Sequence, residues 1–282
     1  MDLTQEQIDR ILQGISIPPQ PQIMVDLQME QFQPNPDIDH IAQLISQDVG
    51  LAGTMLKIVN SPLLGLSNSI TSIKQAVILL GYNAVISLVN GISIKGELSD
   101  DEIVQLNRFW DSAMDIALVC TAVSKQINFR NIDDAYSLGL FHNAGIALMA
   151  KRFNNYFEVL SESYQRPGKR IIDVENKHYQ TNHAVIGYYV ARSWHLPKLV
   201  SEAIADHHNV DHILRQGHPE KTALICILKI AEHICREYKN LGDSGTDYEW
   251  ERHGEEILLY TGLSQYDIET MTSNFIDLGL IV

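Results

Sequence analysis

The sequence has little of several things at once. It carries three cysteines, Cys120, Cys226 and Cys235, an odd number with no CxxC spacing and with apolar neighbours. That excludes a disulfide framework and points to reduced, buried thiols. Basic residues are scarce: 21 Lys and Arg stand against 35 Asp and Glu, a formal charge of −14. Such a surface repels phosphate backbones and anionic lipid, and no local basic patch offsets it, so neither nucleic acid nor a membrane surface is an expected partner. Glycines that could cradle a phosphate are missing, because Gly50, Gly53 and Gly65 are too scattered, and no serine elbow occurs. No cysteine lies beside an activating base, so thiol catalysis is not expected. The opening residues MDLTQE lack the basic start and apolar stretch of a secretory signal, and a cytoplasmic chain is the expectation.

Long apolar runs are also rare. The segment Gln75 to Ile94 is free of charge and at about 20 residues long enough to span a bilayer. Gly81-Tyr82-Asn83 interrupts it, and Ser87 and Asn90 add polar groups, which predicts two short buried helices instead.

What is present is helical period. Ile41, Leu44, Ile45, Leu51, Ala52, Met55, Leu56 and Val59 recur at three- and four-residue steps, one stripe of a helix or helix pair. Ser72 with Gln75, and Ser99 with Glu102, have the spacing of capping boxes. Trp110, Ala113, Ala117 and Cys120 share a face; so do Val200, Ala203, Ile204 and His207. Asp133, Thr181 or Asn182, and Ser264 are placed to open helices, Pro197 suits a first helical position, and 241–247 reads as an exposed loop. Strand-like alternation is scarce, and no 20- to 50-residue repeat occurs. The expected fold is all-α, in two helical lobes: residues 1–97, and residues 98–282 with a C-terminal helical extension.

The order Ile17-Pro18-Pro19, Gln47-Asp48-Val49-Gly50-Leu51, Asn60-Ser61-Pro62, Ile70-Thr71-Ser72-Ile73 and Ala76 to Gly81 resembles the HDOD family. The likeness continues through Phe109-Trp110, Leu138 to Asn143, Glu175, His183, Gly187, Trp194, Leu196-Pro197 and His207-His208, over about residues 15 to 210. The resemblance implies that the second lobe is similar to HD-domain phosphohydrolases. Those proteins hold divalent metal with a histidine, an adjacent His-Asp pair and a later aspartate.

Matched residue by residue, Ser112 stands where the first histidine belongs. His142 keeps the second, Asn143 replaces the aspartate, and Glu232 falls near the last. Asparagine offers only a neutral oxygen, so affinity and hydrolysis should both weaken. His183, His207 and His208 resemble the extra ligands of HD-GYP phosphodiesterases, although the GYP segment is absent and Asn209 replaces an acidic residue of that motif. With His142 and Glu232 they could form a nitrogen-rich site for iron, zinc, nickel or manganese. Adjacent His207 and His208 diverge by about 100° on a continuous helix, so both reach one centre only if the helix ends there, as Asn209 permits.

Plainer readings stand beside these. His142 would serve equally as a core histidine donating to a backbone carbonyl, and His183 and His207 suit either role. His208 reads as a group that faces solvent or stands behind the ligands, and Glu232 as a solvated edge residue. Trp110 and Trp194 read as core anchors, and His178, His195, His212, His218, His233 and His253 as surface or packing residues. The resemblance implies a bacterial signalling module that binds a protein partner, or senses a nucleotide in the old active-site cleft, without turnover. The alternative is a metal-dependent phosphohydrolase.

Overall fold

Short polar side chains start many of the helices. The Asp37 carboxylate accepts from the backbone N–H groups of Asp39 and His40, and the Asp48 carboxylate from that of Leu51. Asn182, Asp247 and Ser264 do the same further on, each satisfying an N–H that the first turn leaves without a partner. The structure is a computed structural model that describes residues 5–18, 21–33, 35–60, 69–98, 105–279 and 281. Every regular element among the described residues is a helix.

The first six are α1 (Gln5–Leu12), α2 (Gln22–Gln31), α3 (Ile38–Ser46), α4 (Val49–Val59), α5 (Ile73–Leu80) and α6 (Tyr82–Leu98). There follow α7 (Gln105–Gln126), α8 (Ile132–Phe141), α9 (Ala144–Arg152), α10 (Tyr156–Tyr164), α11 (Ile171–Tyr179) and α12 (His183–Ser193). Last come α13 (Lys198–Asp206), α14 (Val210–Gln216), α15 (Pro219–Ile234), α16 (Glu237–Asn240), α17 (Tyr248–Thr261) and α18 (Gln265–Asp277).

Two apolar cores form. The smaller gathers Leu27, Ile41, Ile45, Met55, Val77, Val85 and Val89 from α2 to α6. The larger is built on α7, α8, α9, α12, α13 and α15, with Trp110, Phe141, Trp194 and Leu224 inside it. Each fully buried Leu, Ile or Val contributes roughly 1.5–3 kcal/mol. Helix α2 serves both cores, with Met24 in the larger and Leu27 in the smaller. Nearby, the Trp194 indole N–H donates to the Pro18 carbonyl at 2.9 Å, which ties the N-terminal segment to the far end of α12.

The uncharged run breaks where expected, with Gly81 at φ 80° between α5 and α6 and a bend of 118° between the two helices, but α6 is not short, at 17 residues, and α5 leaves Ile78 and Leu79 exposed. No single helix among the described residues is long and apolar enough to cross a membrane. Several expectations need correction. Ser72 occupies the cap position of α5, but its side chain makes no cap bond. Pro197 precedes α13 instead of opening it. The 241–247 segment is not simply exposed: Ser244 is buried, and the Gly242 carbonyl accepts from Ser161 Oγ at 3.0 Å, pinning the loop to α10. Ser99 and Glu102 lie outside the described residues.

Candidate metal centre

The centre collects at helix ends. His142 lies at the α8–α9 junction and Asn143 directly follows it. His183 is the first residue of α12, and α13 stops at Asp206 so that His207 and His208 leave the helix as it ends. Their rings lie 4.1 Å apart, so the geometric condition set by their adjacency is met. Close backbone packing fixes the depth of His183. A Cβ on Gly145 of α9 would come within 2.0 Å of the His183 carbonyl oxygen, so only glycine lets α9 approach this turn of α12.

Each ring spends Nδ1 on an acceptor. His142 Nδ1 donates to the Gly139 carbonyl at 2.8 Å and His207 Nδ1 to the Ile204 carbonyl at 2.7 Å. His183 Nδ1 donates to Glu175 at 2.8 Å, and His208 Nδ1 to Glu249 at 3.1 Å. Glu175 is itself held by the Tyr156 hydroxyl and by the His183 backbone N–H. With Nδ1–H committed, a neutral ring presents a bare lone pair at Nε2.

Three such nitrogens converge. His183 Nε2 lies 3.3 Å from His207 Nε2 and 3.1 Å from His208 Nε2. One proton could relieve one of these contacts but not both. Two nitrogens bound to one ion at 2.0–2.1 Å sit about 2.8–3.4 Å apart for octahedral to tetrahedral angles, so the spacing suits a shared cation. Burial, with His208 beside it, pushes His207 well below the usual imidazole range. Burial also takes His208 down to about 4, against the opposing pull of Glu249. Both are therefore neutral near pH 7, the form that binds metal.

A second group adjoins the first. His142 Nε2 lies 3.3 Å from Glu237 Oε1 and 3.6 Å from Glu232 Oε1, and the His142 and His207 rings are 5.4 Å apart. The Lys229 ammonium, almost fully buried, binds Glu232 at 2.7 Å and Glu249 at 2.9 Å. Glu232 and Glu249 thus share one lysine, and Glu237 lies near enough to feel it, a surplus of buried carboxyl groups suited to a divalent cation. Glu232 Oε1 has no hydrogen-bond partner among the described residues, and burial raises its carboxyl well above the usual range although Lys229 opposes this. Burial also works against ionised Glu237, but its contacts with His142, together with the nearby Lys229 ammonium, outweigh this and the carboxyl falls below its ordinary value.

The five residues expected from the sequence, His142, His183, His207, His208 and Glu232, are all brought together. Two plainer readings are corrected: His208 does not face solvent and Glu232 is not a solvated edge, since both are buried against the cluster. His253, read as a surface or packing residue, is also buried. Ser112 is buried, its hydroxyl without a partner among the described residues. Sequence reasoning missed Glu237, Glu249 and Lys229, for which no motif gave a signal.

The old active-site cleft of the expectation is not open here: His142, His183 and His207 are all buried among the described residues. A mouth lined by Tyr164, Arg166, Lys169, Glu237 and Arg252 leads towards the carboxylates and has room for about 30 Å³, roughly one water. A much larger cleft of about 820 Å³ lies elsewhere, between α6, α7 and α8, and is lined by Asn83, Asn90, Thr121, Lys125 and Ser137.

The family model of the HDOD domain matches residues 17–210. The chain belongs to the HDOD family. An uncharacterized protein of Treponema pallidum (strain Nichols) is 28% identical over 206 residues, which is 72% of this chain and 40% of that protein. The chain thus spans well under half of the length of that curated relative. Among solved structures, an HDOD domain protein of Geobacter sulfurreducens superposes with a TM-score of 0.69 at 19% identity, covering 96% of this chain and 95% of that one. A protein of Shewanella amazonensis SB2B, named as a candidate phosphohydrolase, gives 0.70 at 18% identity and 96% coverage of both. A candidate signal transduction protein of Marinobacter aquaeolei VT8 gives 0.65 at 16% identity, covering 99% of this chain and 62% of that one. At these identities the structural likeness establishes the shared all-α fold.

Proposed function

We propose that the chain is a regulatory HDOD module of bacterial cytoplasmic signalling that carries a divalent transition metal in its interior and acts through a protein partner, without turnover. Its two lobes are read as residues 1–97 and 98–282. The observation that carries the metal is the convergence of three Nε2 lone pairs whose Nδ1 atoms are already committed. His183, His207 and His208 would hold the ion, with His142 and Glu232 beside them. Nitrogen-rich donors with carboxylate favour iron, zinc, nickel or manganese over magnesium. Bound there, the ion would supply Lewis acidity and cross-link α12, α13 and α15.

Against hydrolysis stands the mouth, whose 30 Å³ falls far short of the roughly 300 Å³ at which small-molecule pockets begin. Among the described residues, the larger cleft has the space for a nucleotide or similar ligand. One observation favours the phosphohydrolase reading: Arg166, Lys169 and Arg252 gather at the mouth of an otherwise acidic chain, a placement suited to phosphate.

Metal analysis of the full chain, paired with a nucleotide and phosphoester panel supplemented with manganese or iron, separates the two. The regulatory reading expects bound metal and a silent panel. Metal-dependent turnover abolished by His142→Ala would overturn it.

A further inference from the structure

Asn143 removes the aspartate that would pair with His142, yet the structure puts another carboxylate in its reach. We propose that Glu237 supplies the anionic oxygen ligand that Asn143 cannot, and that Asn143 serves as the positioning group that holds it. This rests on the metal reading above.

The chain has to break its helix to do so. On a continuous α15, residue 237 would lie five positions past Glu232, about 140° around the axis, and the two carboxylates would point apart. Instead α15 ends at Ile234, Arg236 takes the left-handed conformation at φ 55°, and α16 restarts at Glu237. A non-glycine residue in that region costs about 1 kcal/mol or more. The turn brings Glu237 back over the site, where Oε1 meets His142 Nε2 at 3.3 Å and one ligand atom each of His142, Glu232 and Glu237 lies within 4.8 Å of the others.

Asn143 fits this carboxylate as an aspartate could not. Its Nδ2 donates to Glu237 Oε1 at 2.8 Å. An aspartate at 143 would set two buried carboxylates against each other at that distance. Asn143 Oδ1 and Glu232 Oε1, both buried, find no hydrogen-bond partner among the described residues, so acceptor atoms remain around the position a cation would take. The anionic oxygen has moved from the residue after His142 to one 94 positions later in the chain. The amide left behind is the hydrogen-bond donor that the relocated carboxylate needs.

A charge swap tests it on the full chain. Zinc affinity by chelator competition and the visible spectrum of the cobalt-loaded protein are compared for the wild type, Glu237→Gln and the double variant Asn143→Asp/Glu237→Gln. Glu237→Gln should weaken zinc by at least about tenfold and alter the cobalt spectrum. The double variant, which returns the carboxylate to position 143 facing a neutral amide, should recover most of the lost affinity. Chelator-treated samples melted in parallel show whether each variant folds. Unchanged affinity in Glu237→Gln, or a folded double variant no better than the single, would overturn the proposal while leaving the metal reading intact. A wild type that takes up no metal would remove the metal reading itself.

Discussion

Gly145 packs so tightly on His183 that a Cβ would come within 2.0 Å of the His183 carbonyl oxygen. The obstacle is backbone, so it cannot swing aside as a flexible side chain would. Gly145→Ala should therefore push α9 from α12 and destabilise the chain by about 1–3 kcal/mol. It should also shift the His183 ring and weaken metal uptake. Thermal melts with and without chelator separate the two effects, and a wild-type melting curve would contradict the packing described.

Removing His183 should empty the centre and expose a buried charge. His183→Ala takes away the nitrogen nearest both other imidazoles and leaves Glu175 with the Tyr156 hydroxyl alone among its side-chain partners. Metal content by elemental analysis should fall by at least about tenfold. Full retention would place the ion elsewhere.

Much of this was legible in the sequence and some was not, for reasons that particular residues show. The cap at Ser264 depends on local side-chain chemistry and was readable, and that of α12 was readable to within Thr181 or Asn182, of which the structure uses Asn182; so was the escape of His207 and His208 at a helix end, because Asn209 marks it. Glu237 was not readable, since its role depends on a left-handed Arg236 that no glycine or asparagine announces. Lys229 and Glu249 meet 20 residues apart only after α17 folds over α15, beyond the reach of any local pattern. Ser72 shows the converse: a capping sequence whose side-chain bond does not form.

Acid should destabilise the metal-free protein through its buried imidazoles. An unfolded histidine takes up its proton near pH 6.5, whereas folded His208 resists until about 4. The unfolded state then binds more protons between these values, so stability is complete above about pH 6.5 and is lost as pH falls towards 4, by up to about 3 kcal/mol. His207 acts in the same direction. Urea titrations of apo protein from pH 7.5 to 4 should show this slope, and His208→Gln should flatten it.

Lys229 offers a test of opposite design. Its ammonium binds both Glu232 and Glu249 in a buried setting, so Lys229→Met strands two carboxylates and should cost about 3–5 kcal/mol. Adding Glu232→Gln should recover part of that loss, because the amide stays neutral in the buried site without having to hold a proton against it. Equilibrium denaturation of the single and double variants measures the recovery; a double variant as unstable as the single would refute the pairing.

The bond from the Trp194 indole to the Pro18 carbonyl has a consequence in time. The partners lie 176 residues apart, and Met24 of α2 packs into a core made mostly of later helices. On a ribosome the first helices therefore emerge long before the surface that receives them exists, and α2 must wait with Met24 uncovered until α12 has been made. The α2 segment should therefore settle late, and this closure of a long loop should set the slow step of folding.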